Sequence, residues 1–310
     1  MDFNLDDDQR ALRDLAGQIF GGGGGWSDLA DADLLGLCIP EAHGGSGRGL
    51  VELCLVLEAQ GRALADVPLL ETIALGALPL ARFGTDVQQK EWLPAVVRGD
   101  VVLTAAFEAT AVPAGDVADR VLVVRPDGVF LSDPQREVVA TTDQRGAANI
   151  TFTGGEPLPG ADVDWMRQRA HVALAALQLG VAKEALRRTA EYTSQREQFG
   201  KPLSSFQGVA LRAADAYIDT EAMEVTMLQA AWRLDNGLEA SKEVAIAKWW
   251  AAEGGERVVY ATQHLHGGMG ADVDYPIHRY FLWGKQIANA LGGASSQLAR
   301  LGALLAEQYR

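Results

Sequence analysis

Two long helical patterns meet at one short segment, and this arrangement limits the folds that are open to the chain. Before the segment, apolar residues recur every three to four positions from about Asp164 to Phe199, which predicts a helix of roughly 50 Å. Gly200 and Pro202 end this pattern, because glycine favours a left-handed cap and proline cannot continue the helical hydrogen bonds. A second long pattern opens at Gln207. Long helices that are joined by short loops predict an antiparallel bundle.

The segment between the two helices, REQFGKPLSSFQ at 196–207, combines groups that suit an anion. Ser204 and Gln207 have S-x-x-Q spacing, which predicts a capping box at the start of the second helix. A sharp corner would bring Arg196 close to Gln207, where helix amides, the helix dipole and a guanidinium together favour a phosphate. Arginine near a helix C-terminus and glutamine in a cap also stabilise helices without any ligand. Spacing alone leaves both interpretations open.

Composition narrows the classes of protein that the chain can belong to. With 310 residues, 48% apolar and 22% charged, the chain has the size and balance of a globular enzyme. Its net charge of −14 argues against nonspecific binding to nucleic acid or to anionic membranes. Two cysteines, Cys38 and Cys54, provide no disulfide framework and fit a reducing compartment. No basic apolar leader or membrane-spanning stretch is evident, so we expect a cytoplasmic protein.

The periodicity of the sequence changes twice and divides the chain into three segments. Residues 1–99 carry helical patterns, residues 100–160 carry five short β-branched runs with turn residues between them, and residues 161–310 carry the bundle. We therefore predict a mainly α fold with a small antiparallel β-domain between an N-terminal helical domain and a C-terminal antiparallel helix bundle.

The corner segment also carries a motif that occurs in a known family. R-x-x-F-G at Arg196, Phe199 and Gly200, followed by Gln207, resembles the FAD pyrophosphate motif of the acyl-CoA dehydrogenases. The resemblance extends along much of the chain and includes P-E-x-x-G-G at 40–45. It implies an acyl-CoA dehydrogenase-like fold and FAD as cofactor. The resemblance also assigns four residues to the binding of the FAD pyrophosphate: Arg196, Gln198, Phe199 and Gln207.

A second motif lies between the third and fourth helices of the bundle. QHLHGGMG at 263–270 resembles the Q-x-x-G-G-x-G turn of the same family, which approaches the adenosine half of FAD from a neighbouring subunit. The resemblance assigns Gly267 and Gly268 to this contact and places His264 where the family has glutamine. His264 and His266 could also suggest a metal. A structural metal site usually needs four ligands, and no cysteine or carboxylate stands at ligand spacing here, so we predict none.

The residues that the family uses for chemistry are absent from this chain. The family's base is a glutamate at one of two places, and the corresponding positions here hold Gly293 and Ala170, which cannot accept a proton. The family's T-E-x-x-x-G-S-D signature is reduced to FEATAVPAGD at 107–116, and its ring-facing strand is missing. We therefore predict no catalytic residue in this chain.

This selective loss resembles the short subunits of the heterotetrameric acyl-CoA dehydrogenases of actinobacterial steroid degradation. The resemblance implies a longer paralogue as partner, a bulky acyl-CoA thioester as substrate and an electron-transfer flavoprotein as electron acceptor. Two alternatives remain open at this stage. The chain could be a self-sufficient dehydrogenase with an unaligned base, for which Glu253 and Glu256 are candidates, or a flavin-free helical scaffold subunit.

Overall fold

The computed structural model describes residues 3–307. Its helices are α1 (Asp7–Gly21), α2 (Trp26–Asp31), α3 (Leu50–Ala63), α4 (Leu78–Phe83), α5 (Asp86–Val97), α6 (Val163–Gln195), α7 (Gln207–Asp235), α8 (Ser241–Trp249), α9 (Gly255–Leu265), α10 (Ile277–Asn289) and α11 (Ala294–Glu307). Its strands are β1 (Leu103–Ala106), β2 (Val112–Pro113), β3 (Arg120–Arg125), β4 (Gly128–Ser132), β5 (Gln135–Val138), β6 (Ala147–Thr151), β7 (Glu156–Pro157), β8 (Glu197–Gln198) and β9 (Lys201–Pro202). Helices, then short strands, then long helices follow one another as predicted, which confirms the fold class.

The β region contains two small sheets. One has the strand order β1-β3-β4-β7, and the other has the order β2-β6-β5. The prediction that all strands run antiparallel is wrong for β1 and β3, which pair in parallel with Leu103 opposite Arg120. The parallel pair forms because the chain between these strands crosses over and places β2 in the second sheet. Seven buried apolar residues hold this region together: Ala106, Val112, Ala118, Val121, Val123, Ala148 and Ile150.

The chain divides into two compact units. One contains Asp7–Val56 and Ala65–Ala173, and the other contains residues 3–6, Leu57–Leu64 and residues 174–307. Two of the four boundaries between the units fall inside helices: the one after Val56 lies within α3, and the one after Ala173 lies within α6. The three-segment division at residues 99 and 160 stays a prediction.

Close helix packing shapes the second unit. A Cβ atom on Gly180 of α6 would overlap the carbonyl oxygen of Glu58, so this part of α3 approaches the α6 backbone directly. Between α8 and α9, a π-helical turn at Trp250–Gly254 joins the two helices without a break. Gly255 follows this turn at a point where the side chain of Gln178 leaves no room for a Cβ atom. These glycines allow the long helices of the bundle to pack at short distances.

No helix within residues 3–307 combines the length and the apolar character that a membrane span requires. In the same range, no group of three or more histidine, cysteine, aspartate or glutamate side chains is placed to hold a metal ion.

Candidate functional site

The corner that carries the R-x-x-F-G motif is a β-hairpin. Helix α6 ends at Gln195, and β8 and β9 then pair antiparallel, with Gln198 opposite Lys201. The two residues between them, Phe199 and Gly200, have φ values of 55° and 76°. Left-handed conformations at both central residues are those of a type I′ turn, which matches the twist of a two-residue hairpin. The prediction that α6 continues to Phe199 with Gly200 as its cap is therefore wrong, because the glycine serves the hairpin turn instead.

The predicted capping box is also absent. Ser204 lies in a 3₁₀ turn at Leu203–Ser205, and α7 begins at Gln207 after Phe206, whose side chain makes no capping hydrogen bond. The backbone amide of Leu203 donates to the carbonyl oxygen of Arg196 at 2.8 Å, which closes the base of the hairpin. Gln207 therefore does not act as a capping residue in this geometry. Its side chain is exposed in the first turn of α7.

The hairpin exposes both cationic and aromatic side chains. The side chain of Arg196 is exposed and forms no ion pair within residues 3–307. The ammonium group of Lys201 lies 4.3 Å from the ring centre of Phe206. Phe199 is 92% exposed, although it occupies a strained conformation. An unpaired guanidinium can bind an anion, and an exposed ring can contact an apolar or planar ligand.

The glycine motif forms a tight turn after α9. A 3₁₀ turn covers Gly267–Ala271, and Gly267 has a φ of 61°. A Cβ atom on Gly267 or Gly268 would meet nothing within 4 Å, whereas one on Gly270 would overlap the carbonyl oxygen of Gln263. The first two glycines therefore leave open space in front of the backbone, and the third is required by packing. His264 lies exposed on the last turn of α9.

The structure gives His266 a packing role that the sequence did not predict. His266 is 2% exposed, and its ring stacks on Tyr192 of α6 with centres 4.4 Å apart and planes inclined by 22°. Its Nδ1 atom lies 2.8 Å from the carbonyl oxygen of Thr262. Burial lowers the pKa of His266, and the bond to Thr262 opposes this change, so the neutral ring donates from Nδ1. Only the metal interpretation had drawn attention to this histidine.

Tyr192 comes one helical turn before Arg196, so the stack fixes the spacing between the two motifs. The hydroxyl of Tyr192 also lies 3.8 Å from the sulfur of Met269 within the glycine turn. Beside this stack is a cleft of about 160 Å³ that is lined by Arg188, Glu191, Tyr192, Gln195, Tyr275, Pro276 and Ile277. The end of α6 that leads into the hairpin is thus in direct contact with the glycine turn.

Neither of the two predicted base positions holds a residue that can accept a proton. Ala170 lies within α6 and is fully buried. Gly293 lies in the turn between α10 and α11, and a Cβ atom there would make only ordinary contacts with Asn289 and Ala288. A Cβ atom therefore fits at Gly293 without displacing a neighbour.

The two alternative carboxylates line a separate cleft of about 720 Å³ between α7 and α9. Glu253 is paired with Arg257 at 3.3 Å, and Glu256 is paired with Lys285 at 2.5 Å. Arg257 also binds both oxygens of the buried Asp219, at 2.6 and 2.9 Å. Each of the two carboxylates is thus engaged by a cationic side chain of the same unit. This arrangement does not favour either residue as an abstractor of protons.

The fold and both motifs agree with one family of proteins. Residues 7–100 match the family model described as acyl-CoA dehydrogenase, N-terminal domain, and residues 165–303 match the one described as acyl-CoA dehydrogenase, C-terminal domain. The chain belongs to the acyl-CoA dehydrogenase family, whose members are oxidoreductases.

Individual relatives and solved structures are also similar to this chain. The chain is 40% identical to acyl-CoA dehydrogenase FadE27 of Mycobacterium tuberculosis, over 91% of this chain and 88% of the relative. Its structure resembles a variant of the Tcur3481-Tcur3483 steroid ACAD, with a TM-score of 0.93 and 42% identity over 98% of this chain and 99% of the other. It also resembles a chain of the ChsE4-ChsE5 complex from M. tuberculosis, with a TM-score of 0.92 and 35% identity over 99% of both chains. Solved structures with the same fold include an FAD complex, at 20% identity.

Proposed function

We propose that the chain is a subunit of an FAD-dependent acyl-CoA dehydrogenase that acts on bulky, steroid-derived acyl-CoA thioesters. It supplies the surface for the pyrophosphate and adenosine half of FAD, and a longer paralogue supplies the catalytic glutamate. The observation that carries this proposal is the contrast within the chain. The hairpin and the glycine turn are intact and exposed, whereas Ala170 and Gly293 stand at the two base positions.

The exposed groups of the second unit fit a dinucleotide. Arg196 has no carboxylate partner within the described residues and can donate hydrogen bonds to a pyrophosphate. Gln207 can donate its amide protons from the first turn of α7, where the helix dipole also favours negative charge. The open space in front of Gly267 and Gly268 allows the backbone to approach the ligand closely, and His264 can offer one hydrogen bond beside them. Phe199 and Gln198 complete this surface at the hairpin.

When FAD is bound, its flavin accepts the hydride that leaves the β-carbon of the substrate. The residues of this chain contribute to positioning, because they bind the non-reacting end of the cofactor and hold it in a fixed orientation. Removal of the α-proton is left to the partner, since this chain provides no base at either position. Electrons then pass to an electron-transfer flavoprotein in the cytoplasm.

The relatives support a heteromer in which two different chains share the sites. One structural neighbour is a complex of two proteins, ChsE4 and ChsE5, and another joins Tcur3481 with Tcur3483 as a steroid ACAD. A heterotetramer with a longer paralogue, active in lipid metabolism and steroid degradation, agrees with both. The pairing of Glu253 and Glu256 with cations disfavours the self-sufficient alternative. The exposed, unpaired Arg196 disfavours the flavin-free scaffold, because a scaffold has no need of it.

The first test compares the chain alone with the chain purified together with its longer partner. We expect visible flavin absorbance and turnover of an acyl-CoA thioester only in the complex. A lone chain that retains flavin and turns over would identify it as self-sufficient, and loss of activity in Glu253→Gln or Glu256→Gln would then locate the base. A complex that contains no flavin would support the scaffold.

The second test addresses Arg196 within that complex. Arg196→Ala should weaken FAD retention by about 10- to 100-fold, since a charge-assisted hydrogen bond contributes about 1.5–3 kcal/mol. Arg212→Ala is the matched control, because Arg212 on α7 is equally exposed and forms no ion pair within residues 3–307. Dialysis followed by measurement of the remaining flavin gives the comparison. Equal FAD retention by both variants would show that Arg196 does not bind the cofactor.

A further inference from the structure

A buried histidine lies between the two segments that the proposed function assigns to FAD. His266 directly precedes Gly267 of the glycine turn, and its ring stacks on Tyr192 with centres 4.4 Å apart. The carbonyl oxygen of Tyr192 accepts a hydrogen bond from the backbone amide of Arg196 at 2.8 Å. The aromatic contact therefore connects the glycine turn with the arginine at the start of the hairpin.

The residues on both sides of the first two glycines of the turn contact the same tyrosine. His266 precedes these glycines, and Met269, which follows them, has its sulfur 3.8 Å from the hydroxyl of Tyr192. The Nδ1 atom of His266 donates to the carbonyl oxygen of Thr262 at 2.8 Å, so the ring is also fixed to α9. The backbone of the two glycines is thereby held at a defined place relative to α6.

The ring of His266 is buried in its uncharged form. The side chain is 2% exposed, and its Nε2 atom has no hydrogen-bond partner within residues 3–307. An unpaired neutral nitrogen in this place costs free energy, and an unpaired charge would cost more. Burial lowers the pKa of His266, although the hydrogen bond to Thr262 opposes the change, so the ring is neutral at pH 7. The stack on Tyr192 is therefore a contact between two uncharged rings.

We propose that His266 is a positioning residue for FAD, because its uncharged ring holds the glycine turn at a fixed distance from Arg196. This inference rests on the proposed function and adds to it a buried residue that does not touch the cofactor. Two segments that bind one dinucleotide contribute fully only if their spacing is set before the ligand arrives, since ordering them later costs conformational entropy. The stack on Tyr192 sets that spacing.

The first experiment measures the FAD dissociation constant of the complex with the longer partner, by titrating the flavin-free complex with FAD. His266→Leu removes the aromatic stack and should raise the dissociation constant by about 10-fold. His266→Phe keeps a ring and should stay within about 3-fold of the native complex at pH 7.5. Phe281→Leu is the control, because it removes an aromatic pair with Tyr260 in the same unit and should leave FAD binding unchanged. Circular dichroism confirms that the variants fold.

Coupling between the two rings distinguishes positioning from a general loss of packing. Tyr192→Leu should raise the FAD dissociation constant by a factor similar to that of His266→Leu, and the double variant should raise it no further, because both substitutions remove the same stack. Unrelated structural damage at the two positions would add instead. Additive effects, or a His266→Phe complex that binds FAD as weakly as His266→Leu, would overturn the role of the stack.

The pH dependence of FAD binding gives a second readout, which needs only the variant that keeps a ring. Between about pH 6.5 and pH 5 an exposed imidazole binds a proton that the buried ring of His266 excludes, so acid favours the state in which the stack is broken. FAD affinity should therefore fall more steeply towards acid in the native complex than in His266→Phe. Both complexes keep the other charged and titratable groups around the stack: Arg188, Glu191, Tyr192, His264 and Tyr275. Equal pH dependence in the two complexes would contradict the uncharged stack.

The same titrations separate this inference from the proposed function. A native complex that binds no FAD would overturn the proposed function, and the role of His266 with it. A native complex that binds FAD, and whose affinity is the same with His266→Leu as with Phe281→Leu, would overturn the role of His266 alone.

Discussion

Phe199 shows how a single residue can be unfavourable for stability and suited to binding. A left-handed conformation costs a residue with a side chain on the order of 1–2 kcal/mol, and a ring that is 92% exposed recovers little of this by packing. Its nearest aromatic neighbour is Phe206, with ring centres 6.2 Å apart. Strained, exposed aromatic residues of this kind are found where a ligand or a partner binds.

Replacing Phe199 should therefore separate stability from cofactor retention. Phe199→Asn creates Asn-Gly, the pair that type I′ turns favour most, and should raise the free energy of unfolding by about 1 kcal/mol. The same variant should retain less FAD in the complex, because the exposed ring is lost. Denaturant titration of the chain and flavin retention of the complex measure the two effects. A variant that is both less stable and fully flavinated would contradict this account of the turn.

The surroundings of Lys248 change the pKa of its side chain. It is fully buried in α8, and its ammonium group donates to the carbonyl oxygens of Ile287 and Ala288 at 3.2 and 3.1 Å, at the end of α10. Burial lowers its pKa from 10.5 to about 7. The amine therefore donates to two carbonyls in the last turn of α10, and its burial there weakens its protonation.

This environment predicts a dependence of stability on pH. Between about pH 7 and pH 10 the unfolded chain binds a proton at Lys248 that the folded chain has lost, so this group makes stability increase with pH. The contribution is about 1.4 kcal/mol per pH unit, and Lys248→Met should lack it. Denaturant unfolding of both proteins at pH 7.5, 8.5 and 9.5 gives the two slopes. Parallel slopes would mean that Lys248 keeps an ordinary pKa.

At the scale of the elements, glycines decide how closely the helices approach. Gly180 sits where α6 meets the carbonyl oxygen of Glu58, and Gly284 of α10 faces the side chain of Val259 on α9. Gly302, in contrast, lies exposed within α11 with nothing within 4 Å of a Cβ atom. Glycine therefore allows close packing of helices at Gly180 and Gly284, whereas at Gly302 it has no packing role.

The two kinds of glycine should respond oppositely to alanine. Gly180→Ala should lower the free energy of unfolding by about 3 kcal/mol, because the backbones of α3 and α6 must move apart. Gly302→Ala should raise it by about 0.5–1 kcal/mol, since alanine is the better helix former and nothing is displaced. Equilibrium unfolding in urea with an unchanged m value reports both changes. A tolerated Gly180→Ala would show that the crossing can relax.

For the whole molecule, the distribution of exposed groups and missing groups favours a subunit of a larger enzyme. The surface proposed for FAD lies in the unit that contains residues 174–307. The predicted base positions hold residues without a titratable group. Under the proposed function a complete catalytic site requires another chain, and the net charge of −14 disfavours nonspecific binding of nucleic acid.

Much of the fold was predictable because its signals are local. The helical periodicity from about 164 to 199 and from 207 to 234, the five β-branched runs and the glycines between them are properties of neighbouring residues, and they led to the observed order of elements. The candidate site was predicted only as a set of motifs, from resemblance. The assignments of Arg196, Gln198, Phe199, Gln207, His264, Gly267 and Gly268 stay predictions.

The sequence by itself determined the class of fold and the order of the helices, because both follow from residue types and their spacing, whereas the assignment of Gly293 and Ala170 to the base positions stays a prediction from resemblance. Only the tertiary structure decided that 196–202 is a hairpin, that β1 and β3 run parallel, and that His266 stacks on Tyr192. These features depend on residues far apart in the chain, or on a turn whose left-handed conformation is unusual for phenylalanine. Packing selects such arrangements, and local propensity cannot.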